Sequence, residues 1–396
     1  MPSYRKDFFS HLAQTSPAPL SLEIIKAKGL FLEDIHGKKY MDLISGIAVS
    51  SMGHGHPDVI KAIKKQADNY AHIMVYGEYI QAPQVKFATG LCNYLPKTLN
   101  SVYFVNSGSE AVEGALKLAK RYTGRTEIVY FKNAYHGSTH GSLSVMGDET
   151  LKAPFRPLLP ETRMLTFGDR KELKQISKKT ACVIIEPIQG EGGIIVPDKI
   201  FLQELRKRCN ATKTLLIFDE IQTGMGHTGK LFAFEHFGVI PDIILLGKAL
   251  GGGLPLGAFI SDRSIMAHLS DNPALGHITT FGGHPISCAA GDAALNFLVK
   301  AKLLRTLPAK EKLFRKLLKH KAIKEIRGKG LMLALQFNGE EQCRKVIEIC
   351  LKNGIIVDWF LFCPSAMRIC PPLTITDKEI KKACTALLLS INQALS

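Results

Sequence analysis

From Asp58 onward the chain alternates short apolar runs with stretches of helical periodicity, and most of the runs end on a polar residue. This alternation predicts an α/β sheet that is covered by helices on both faces. The strands of such a sheet are mostly parallel, and ligands bind outside their carboxyl ends. We therefore expect four polar residues that follow these runs to meet at one edge of the sheet: Asn106, Glu186, Asp219 and Lys248.

The glycine-rich segment after Lys248 predicts an exception to the parallel order. The apolar run around Phe259 follows Gly251, Gly252 and Gly253 so closely that no helical crossover fits between them. We therefore expect one antiparallel strand within a large, mostly parallel sheet.

Both ends of the chain differ from its middle. Residues 30–41 have the pattern of a short hairpin with a turn at His36 and Gly37, and beyond Ala290 the chain is helix-rich and basic, with one more strand after Gly330. We predict that a smaller α+β domain is formed by both termini. The predicted segments are residues 1–50 and 293–396 for this small domain and residues 51–292 for the large domain.

The composition limits where the protein works and what it binds. A chain of 396 residues with 46% hydrophobic residues can bury more than one core. The first residues carry charges where a signal peptide is apolar, and no apolar run approaches the length of a membrane span. The nine cysteines include no Cys-x-x-Cys pair, so we expect reduced thiols and no metal site. We expect a soluble protein of the cytoplasm without a membrane partner.

The formal net charge of +16 could attract an acidic partner, because clustered lysine and arginine bind phosphate groups. Much of the excess lies between Lys300 and Lys329, where leucines recur at helical spacing between the charges. This pattern favours the solvated face of an amphipathic helix. We therefore predict no nucleic-acid partner, although the charge still favours anionic substrates.

Lys248 and Asp219 together indicate a specific cofactor. Either residue alone is more often a solvated strand end. As a pair after two apolar runs, they supply what pyridoxal phosphate needs. A lysine amine holds the cofactor aldehyde as a Schiff base and then carries protons, and an aspartate keeps the pyridine nitrogen protonated so that the ring accepts electrons.

A phosphate site is predicted where residues 106–110, Asn-Ser-Gly-Ser-Glu, leave a strand and begin a helix. Small residues let backbone amides approach an anion, the hydroxyls of Ser107 and Ser109 can donate, and the amino end of the helix adds a favourable field. The spacing of Ser107 and Glu110 also fits helix capping, and the two interpretations are compatible. A second loop of hydroxyls and glycines, residues 279–283, could also contact phosphate, although a glycine pair usually marks only a turn.

Tyr135 and His136 follow another apolar run, in the stretch Tyr-His-Gly-Ser. Tyr135 could lie flat against a heteroaromatic ring, a contact worth about 1 kcal/mol beyond its burial. Core packing for Tyr135 and an ordinary loop position for His136 are the alternatives.

Taken in order, these motifs resemble the class III aminotransferases that use pyridoxal phosphate (subgroup II, ω-type), above all the acetylornithine and ornithine branch. The resemblance runs over nearly the whole chain, and it implies fold type I, with a mostly parallel seven-stranded sheet in the large, cofactor-binding domain. It rests on the following stretches: Gly46-Ile-Ala-Val, Gly53-His-Gly-His-Pro57, Asn106-Ser-Gly-Ser-Glu-Ala, Tyr135-His-Gly, Ile-Ile-Glu186-Pro-Ile-Gln-Gly-Glu191-Gly-Gly, Phe-Asp219-Glu-Ile-Gln222-Thr-Gly-Met-Gly, Gly247-Lys248-Ala-Leu-Gly-Gly-Gly, Thr-Thr280-Phe-Gly-Gly, and Arg368 before Pro371-Pro-Leu.

The resemblance also implies a role for each residue of the cofactor site. Thr280 would reach the phosphate from a neighbouring subunit, since the sites of this family lie at a dimer interface, and we therefore expect a homodimer. Glu186 would be a carboxylate that orients the surroundings of Asp219. The implied cofactor contacts are Lys248 as the internal aldimine, Asp219 at the pyridine nitrogen, Gln222 at the phenolic oxygen, Tyr135 on the ring beside His136, and Ser107, Gly108 and Ser109 at the phosphate.

Arg368 and Glu191 are the substrate residues that the resemblance implies. Arg368 would bind a substrate α-carboxylate. In relatives that use an ω-amino donor and 2-oxoglutarate, the glutamate pairs with the arginine while the donor is bound and releases it for the dicarboxylate. The charges support such a gate, since an uncovered and partly desolvated arginine would attract the wrong end of an amino acid.

Three positions depart from the family pattern. Ser138 stands where acetylornithine and ornithine enzymes usually have an arginine for a second carboxylate. Thr15 and Ile47 stand where ornithine enzymes have tyrosines on the donor side. With Ile47 in the substrate site, the sequence allows a neutral or differently charged ω-amine as the donor.

The predicted function is a transamination that moves an amino group from an ω-amino donor, such as ornithine or acetylornithine, to 2-oxoglutarate. One alternative is another class III enzyme: an aminotransferase of 4-aminobutyrate, lysine or a diamine, or else a racemase, isomerase or decarboxylase, whose chemistry begins in the same way. Another is an anion-binding or nucleic-acid-binding protein on a retained scaffold, which only the basic surface suggests.

Overall fold

A computed structural model describes residues 2–75 and 77–396, which form three β-sheets and the helices that cover them. In chain order the strands are β1 (Ile24–Lys28), β2 (Phe31–Asp34), β3 (Lys39–Asp42), β4 (Ser101–Val105), β5 (Glu127–Phe131), β6 (Thr162–Leu165), β7 (Thr180–Ile185), β8 (Leu215–Asp219), β9 (Ile243–Leu246), β10 (Gly257–Ser261), β11 (Glu325–Lys329), β12 (Met332–Gln336), β13 (Ile355–Ile356), β14 (Asp358–Phe360) and β15 (Cys363–Ile369).

The helices alternate with these strands in the middle of the chain and dominate its carboxyl end. They are α1 (Arg5–His11), α2 (Ser45–Ala48), α3 (Pro57–Asn69), α4 (Ala82–Cys92), α5 (Gly108–Thr123), α6 (His140–Ser144), α7 (Glu149–Lys152), α8 (Lys199–Thr212), α9 (Arg263–Met266), α10 (Pro285–Lys300), α11 (Leu307–Leu317), α12 (Glu340–Lys352) and α13 (Asp377–Leu395). Among the described residues no helix is long and apolar enough to cross a membrane.

The largest sheet has seven strands in the order β4-β10-β9-β8-β7-β5-β6. The pairs from β9 to β6 are all parallel, whereas β10 is antiparallel to both of its neighbours. The structure thus confirms the mostly parallel seven-stranded sheet and the antiparallel strand expected around Phe259. The edge strand β6 was not predicted, because Thr162 and Arg163 leave it only two apolar residues, too few to mark a strand.

The central strands are buried on both faces, and this explains why they read as continuous apolar runs. Every residue of β7, β8 and β9 is buried. Val183 and Phe218 belong to the core on one face, and Ile184 and Ile217 belong to the core on the other. Successive side chains of a strand point to opposite faces, so a strand between two helical layers needs an apolar residue at every position.

The two smaller sheets have the orders β1-β2-β3-β13 and β11-β12-β15-β14. The hairpin of β2 and β3 turns at Gly37, whose φ of +78° is in the left-handed region, and this confirms the predicted turn. Because β13 pairs with β3, residues from both ends of the chain share one sheet. The domain boundaries stay a prediction, and the one between residues 292 and 293 falls inside α10.

The basic segment from Lys300 to Lys329 is only partly helical. Its helix α11 covers residues 307–317, with Phe314 and Lys310 buried and Lys312 and Lys316 exposed. Residues 325–329, however, form strand β11, which pairs with β12. The expectation of an amphipathic helix face was wrong for these residues. The run around Gly328 contains three charged residues and a single isoleucine, so no apolar period marks it as a strand. All nine cysteines are free thiols.

Candidate active site

The carboxyl ends of four strands bring the predicted polar residues to one edge of the large sheet. Asp219 is the last residue of β8 and pairs with Leu245 of β9. Lys248 follows Leu245 by three residues. Glu186 directly follows β7, the other neighbour of β8. Lys248 interacts electrostatically with both Asp219 and Glu186. The structure therefore collects an amine and two carboxylates where a parallel sheet binds its ligands.

Asp219 is buried and held on both oxygens. Its Oδ2 lies 2.6 Å from Nδ1 of His136, and its Oδ1 accepts from the backbone N–H of Ile221 at 3.0 Å. The other ring nitrogen of His136, Nε2, is buried and has no partner among the described residues. The side chain of His136 therefore holds a buried carboxylate in place.

Lys248 is placed by an unusual backbone turn. Its φ is +48°, a region that lysine seldom adopts and that the surrounding structure must enforce. The preceding Gly247 packs against Ile221, where an added Cβ would lie 3.1 Å from that side chain. Burial lowers the pKa of the Lys248 amine, Arg368 lowers it further, and three carboxylates oppose the shift. A lowered pKa raises the fraction of unprotonated, nucleophilic amine.

Glu186 is a buried carboxyl that backbone amides hold in place. It accepts from the N–H of Tyr135 at 3.2 Å and from the N–H of Gly190 at 2.9 Å. Burial raises its pKa to about 7, and the nearby Asp219 contributes to the rise. Gly190 also packs so tightly against the buried Gln222 that a side chain at position 190 would clash with it. Glu186 thus ties the Tyr135 loop to the strand edge next to Gln222.

The predicted anion site lies at the amino end of α5. Ser107 caps the helix, because its Oγ accepts from the N–H of Glu110 at 3.2 Å, while the Glu110 carboxylate accepts from the N–H of Asn106 at 2.8 Å. Capping is therefore confirmed, although Glu110 returns its bond to Asn106 rather than to Ser107. A Cβ at Gly108 would lie 2.9 Å from the Ile221 side chain, which would have to shift to make room for it.

Two loops border this helix end. The Ser138 N–H donates to the Oγ of Ser109 at 3.3 Å, and Tyr135, which is partly buried, has its hydroxyl 3.2 Å from the Ser138 hydroxyl. On the other side, the Asn106 side chain donates to Thr279 at 2.8 Å. The next residue, Thr280, is exposed, and its carbonyl lies 2.9 Å from a ring nitrogen of His72. The loops that carry Ser138 and Thr279 therefore border this helix terminus within one chain, whereas the predicted Thr280 contact would come from a second subunit.

Arg368 meets two carboxylates in the buried interior. Its Nη2 donates to Oε2 of Glu191 at 2.8 Å, and its Nε donates to Oδ1 of Asp358 at 3.0 Å. Its guanidinium group also stacks over the ring of Phe360 at 4.5 Å. The pairing of Arg368 with Glu191 agrees with the expected gate. Sequence reasoning missed Asp358, because its contact with Arg368 depends on the register of the hairpin of β14 and β15, which no sequence signal gave.

Ile47 lies in α2, whose four residues form a left-handed turn that the sequence did not reveal. Four consecutive residues, Ser45 to Ala48, have φ values between +51° and +63°. Asp42 anchors this turn, since its Oδ1 accepts from the N–H groups of Ile44 and Ser45 at 2.9 Å. The turn contacts the short helix that begins at Lys248. The turn that carries Ile47 thus lies beside the helix of Lys248, whereas Thr15 is exposed in the amino-terminal segment.

Comparison with known proteins assigns the family. The family described as Aminotransferase class-III matches residues 12–391. The chain belongs to the class-III aminotransferases. It is 39% identical over 380 residues to the acetylornithine aminotransferase of Methanopyrus kandleri, with 95% of each chain covered. It is also 39% identical to ornithine aminotransferase 1 of Staphylococcus aureus, with 93% of this chain and 94% of the relative covered.

Solved structures agree with this assignment. The ornithine aminotransferase of Toxoplasma gondii superposes with a TM-score of 0.90 at 32% identity, over 99% of this chain and 95% of that chain, and it contains pyridoxal phosphate at partial occupancy. The enzyme therefore has fold type I and uses pyridoxal phosphate. Its own residues suit this group, because a buried carboxylate, a lysine of lowered pKa and a hydroxyl-rich helix terminus converge at one edge.

Proposed function

We propose that the enzyme moves an amino group from the ω-amino group of ornithine, acetylornithine or a similar donor to 2-oxoglutarate, with Lys248 as the residue that binds the cofactor aldehyde covalently. The observation that carries the proposal is the meeting of Lys248, Asp219 and the Arg368–Glu191 ion pair around one sheet edge. The names of the relatives above supply the donor class, and the ion pair supports a dicarboxylate acceptor. Homodimers and a location in the cytoplasm stay predictions.

Lys248 and Asp219 divide the proton chemistry in this proposal. When bound, pyridoxal phosphate supplies an electron sink that weakens the C–H bond next to the donor nitrogen. Lys248, whose pKa is lowered mainly by burial, acts as the base that takes this proton and later returns it. Asp219, fixed by His136 at 2.6 Å, stabilises a proton on the pyridine nitrogen, since an opposite charge in a sheltered site favours the charged form.

The remaining proposed contacts position the cofactor. Ser107, Gly108 and Ser109 at the amino end of α5 hold the phosphate, where unpaired helix amides favour an anion. Thr280 of the exposed loop adds a hydroxyl from the second subunit. In addition, Tyr135 and His136 line the ring, Gln222 hydrogen-bonds its phenolic oxygen, and Glu186 orders this region.

Arg368 and Glu191 select between the two substrates in the proposed cycle. In the resting arrangement Glu191 covers the buried guanidinium group at 2.8 Å. A dicarboxylate displaces Glu191 and takes its place, because a bidentate carboxylate–arginine pair is among the strong charge-assisted contacts. The donor, in contrast, binds while Arg368 is covered, so its own carboxylate is not drawn to the wrong end of the site.

Half-reaction spectroscopy tests this function. The holoenzyme is mixed in turn with ornithine, acetylornithine, 4-aminobutyrate, lysine and glutamate, and the loss of cofactor absorbance is followed. We expect an ω-amine to bleach the cofactor and 2-oxoglutarate to restore it, with one acceptor consumed per amine. Lys248→Ala should lose turnover, whereas Lys230→Ala, at an exposed lysine, should retain it.

Three results would each overturn part of the proposal. Amine conversion that consumes no acceptor would identify a racemase, isomerase or decarboxylase. Bleaching by glutamate alone would refute the ω-amine donor. Near-normal turnover of Lys248→Ala would remove the assignment of the lysine itself.

A further inference from the structure

A cavity of about 540 Å³ lies between one face of the sheet β1-β2-β3-β13 and the carboxyl-terminal helix α13. Its volume falls within the range of about 300–1,000 Å³ that sites for small molecules occupy. None of the described residues that line the cavity belongs to the candidate active site. The cavity is therefore a second place on the molecule where a small ligand fits.

The floor of this cavity is a row of apolar side chains that the strand register sets side by side. Phe31 of β2 lies opposite Met41 of β3, and Met41 pairs in turn with Ile355 of β13. Residues that are paired in this way lie on the same face of a sheet. The row crosses three strands, so at a spacing of about 4.8 Å between strands it is about 10 Å long.

The walls of the cavity are basic. Four exposed lysines line it, namely Lys26, Lys28, Lys39 and Lys382, and together with Glu33 they leave a net charge of +3. Within the described residues the ammonium groups of these four lysines form no ion pair. Charges of one sign that face a cleft strengthen the field inside it and attract ligands of the opposite sign.

Two of the lysines lie at opposite ends of the apolar row. Glu33 is opposite Lys26 on one neighbouring strand and Lys39 on the other, so these three charges partly neutralise one another. Lys28 of β1 lies beyond the β2 end of the row, and Lys382 belongs to α13, which packs beside β13 at the other end. The row thus separates the two cations that Glu33 does not face.

Strand β3 separates the cavity from the active site. Met41 lines the cavity, whereas the next residue, Asp42, anchors the left-handed turn of residues 45–48. Successive side chains of a strand point to opposite faces. A ligand in the cavity therefore lies on the other side of β3 from the turn that contacts the helix of Lys248.

We propose that this cavity binds an elongated dianion, such as a dicarboxylate with a long apolar chain. The chain covers Phe31, Met41 and Ile355, and its two acid groups reach Lys28 at one end and Lys382 at the other. Burial of the apolar surface supplies affinity in proportion to the area covered, and the separation of the two cations selects the length of the ligand. A short dianion reaches one lysine but leaves most of the apolar row uncovered.

Isothermal titration calorimetry of the holoenzyme with decanedioate tests this site. We expect decanedioate to bind about tenfold or more tightly than hexanedioate, because its longer chain covers more of the apolar row. Each titration is repeated with 2-oxoglutarate present. The affinity for decanedioate should not change, because the proposed acceptor site lies on the other side of β3.

Two substitutions test the lysines. Lys28→Gln and Lys382→Gln keep most of each side chain and remove its charge. Each should weaken the binding of decanedioate about threefold and both together about tenfold, since exposed ion pairs are weak and the two lysines are well separated. Lys64→Gln combined with Lys65→Gln removes the same charge from exposed positions on α3 outside the cavity, so this control should bind as the wild type does.

Thermal unfolding gives a second readout. Decanedioate should raise the Tm of the wild type and of the control variant, and should raise that of the Lys28 and Lys382 double variant less, because a ligand stabilises the folded state in proportion to its occupancy. The Tm without ligand also shows that the double variant is folded.

Three outcomes would overturn the inference. If decanedioate does not bind, or binds no more tightly than hexanedioate, the apolar row is not the floor of a ligand site. If the double variant binds decanedioate as the wild type does, the two lysines have no part in binding. If 2-oxoglutarate competes with decanedioate, the dicarboxylate occupies the active site instead. These measurements need no turnover, so they decide the inference even if the proposed transamination fails.

Discussion

His136 holds Asp219, the carboxylate proposed to contact the pyridine nitrogen of the cofactor, so removal of the His136 side chain tests the role of that carboxylate. Its Nδ1 lies 2.6 Å from the buried Asp219, so His136→Ala leaves one carboxylate oxygen without its partner. A lost hydrogen bond to a buried charged group costs about 1.5–3 kcal/mol, which corresponds to roughly 10- to 100-fold weaker retention of pyridoxal phosphate. Equilibrium titration of the cofactor by absorbance measures this loss.

The exposed His140, four residues along the chain, provides the control. His140→Ala should bind the cofactor with wild-type affinity, because its ring is solvent-exposed. Equal affinities of His136→Ala and the wild type would show that Asp219 does not need this partner to serve the cofactor.

The residues that the sequence predicts best are those that follow buried strands. Lys248 and Asp219 were recognised as a pair because the apolar runs before them marked strand ends, and parallel strands bring such ends together. Asp358 carries no such mark, since its contact with Arg368 depends on the register of a hairpin. Register is set by turn geometry and cross-strand packing, which a single sequence leaves open.

The loop after β5 and the amino end of α5 form one unit, and Gly137 is where they meet. Its φ is +124°, and a Cβ there would clash with the hydroxyl of Ser109. Gly137→Ala should therefore push the loop away from the helix terminus and weaken cofactor binding by about tenfold or more, in addition to a backbone penalty of about 1 kcal/mol. Cofactor titration and thermal unfolding separate the two effects.

Gly168→Ala is the matched control for this change. Gly168 also has a positive φ, +86°, but no atom lies within 4 Å of its added Cβ. This variant should lose about 1 kcal/mol of stability from the positive φ alone and should keep the wild-type affinity for the cofactor. If Gly137→Ala behaves in the same way, the close packing of the loop on α5 has no part in the site.

The elements that escaped sequence analysis are those without an apolar period. The edge strands β6 and β11 carry charged residues that alternate with few apolar ones, so nothing distinguishes them from loops. The left-handed turn of residues 45–48 contains a single glycine, and the positive φ of Ile47 is imposed by its surroundings rather than by propensity. In contrast, the mostly parallel arrangement of the large sheet was predicted from the alternation of apolar runs and helices.

The assembled enzyme is predicted to be a dimer that covers an apolar surface. Ile80 is 96% exposed, and Leu275, Ile278 and Phe281 are also largely exposed next to the loop that carries Thr280. Ile80→Asp should shift the molecule from twice 43.6 kDa toward the monomer mass. Burial of an isoleucine is worth about 1.5–3 kcal/mol and occurs twice across a twofold axis, so the dissociation constant should rise about 100-fold or more.

Light scattering at several concentrations measures this equilibrium. Ile200→Asp, at another exposed isoleucine on α8, should leave the mass unchanged. Cofactor retention should fall together with the dimer, because Thr280 is proposed to complete the partner's phosphate site. An Ile80→Asp protein that stays dimeric would place the interface elsewhere on the surface.

Borohydride reduction of the purified holoenzyme, followed by proteolysis and mass spectrometry of the peptides, tests the central claim most directly. Reduction makes the bond between a lysine amine and the cofactor aldehyde permanent, so the labelled lysine can be located without any measurement of turnover. The account predicts the label on Lys248, in the peptide that follows β9. A label on a different lysine, or a holoenzyme that takes no label, would contradict it.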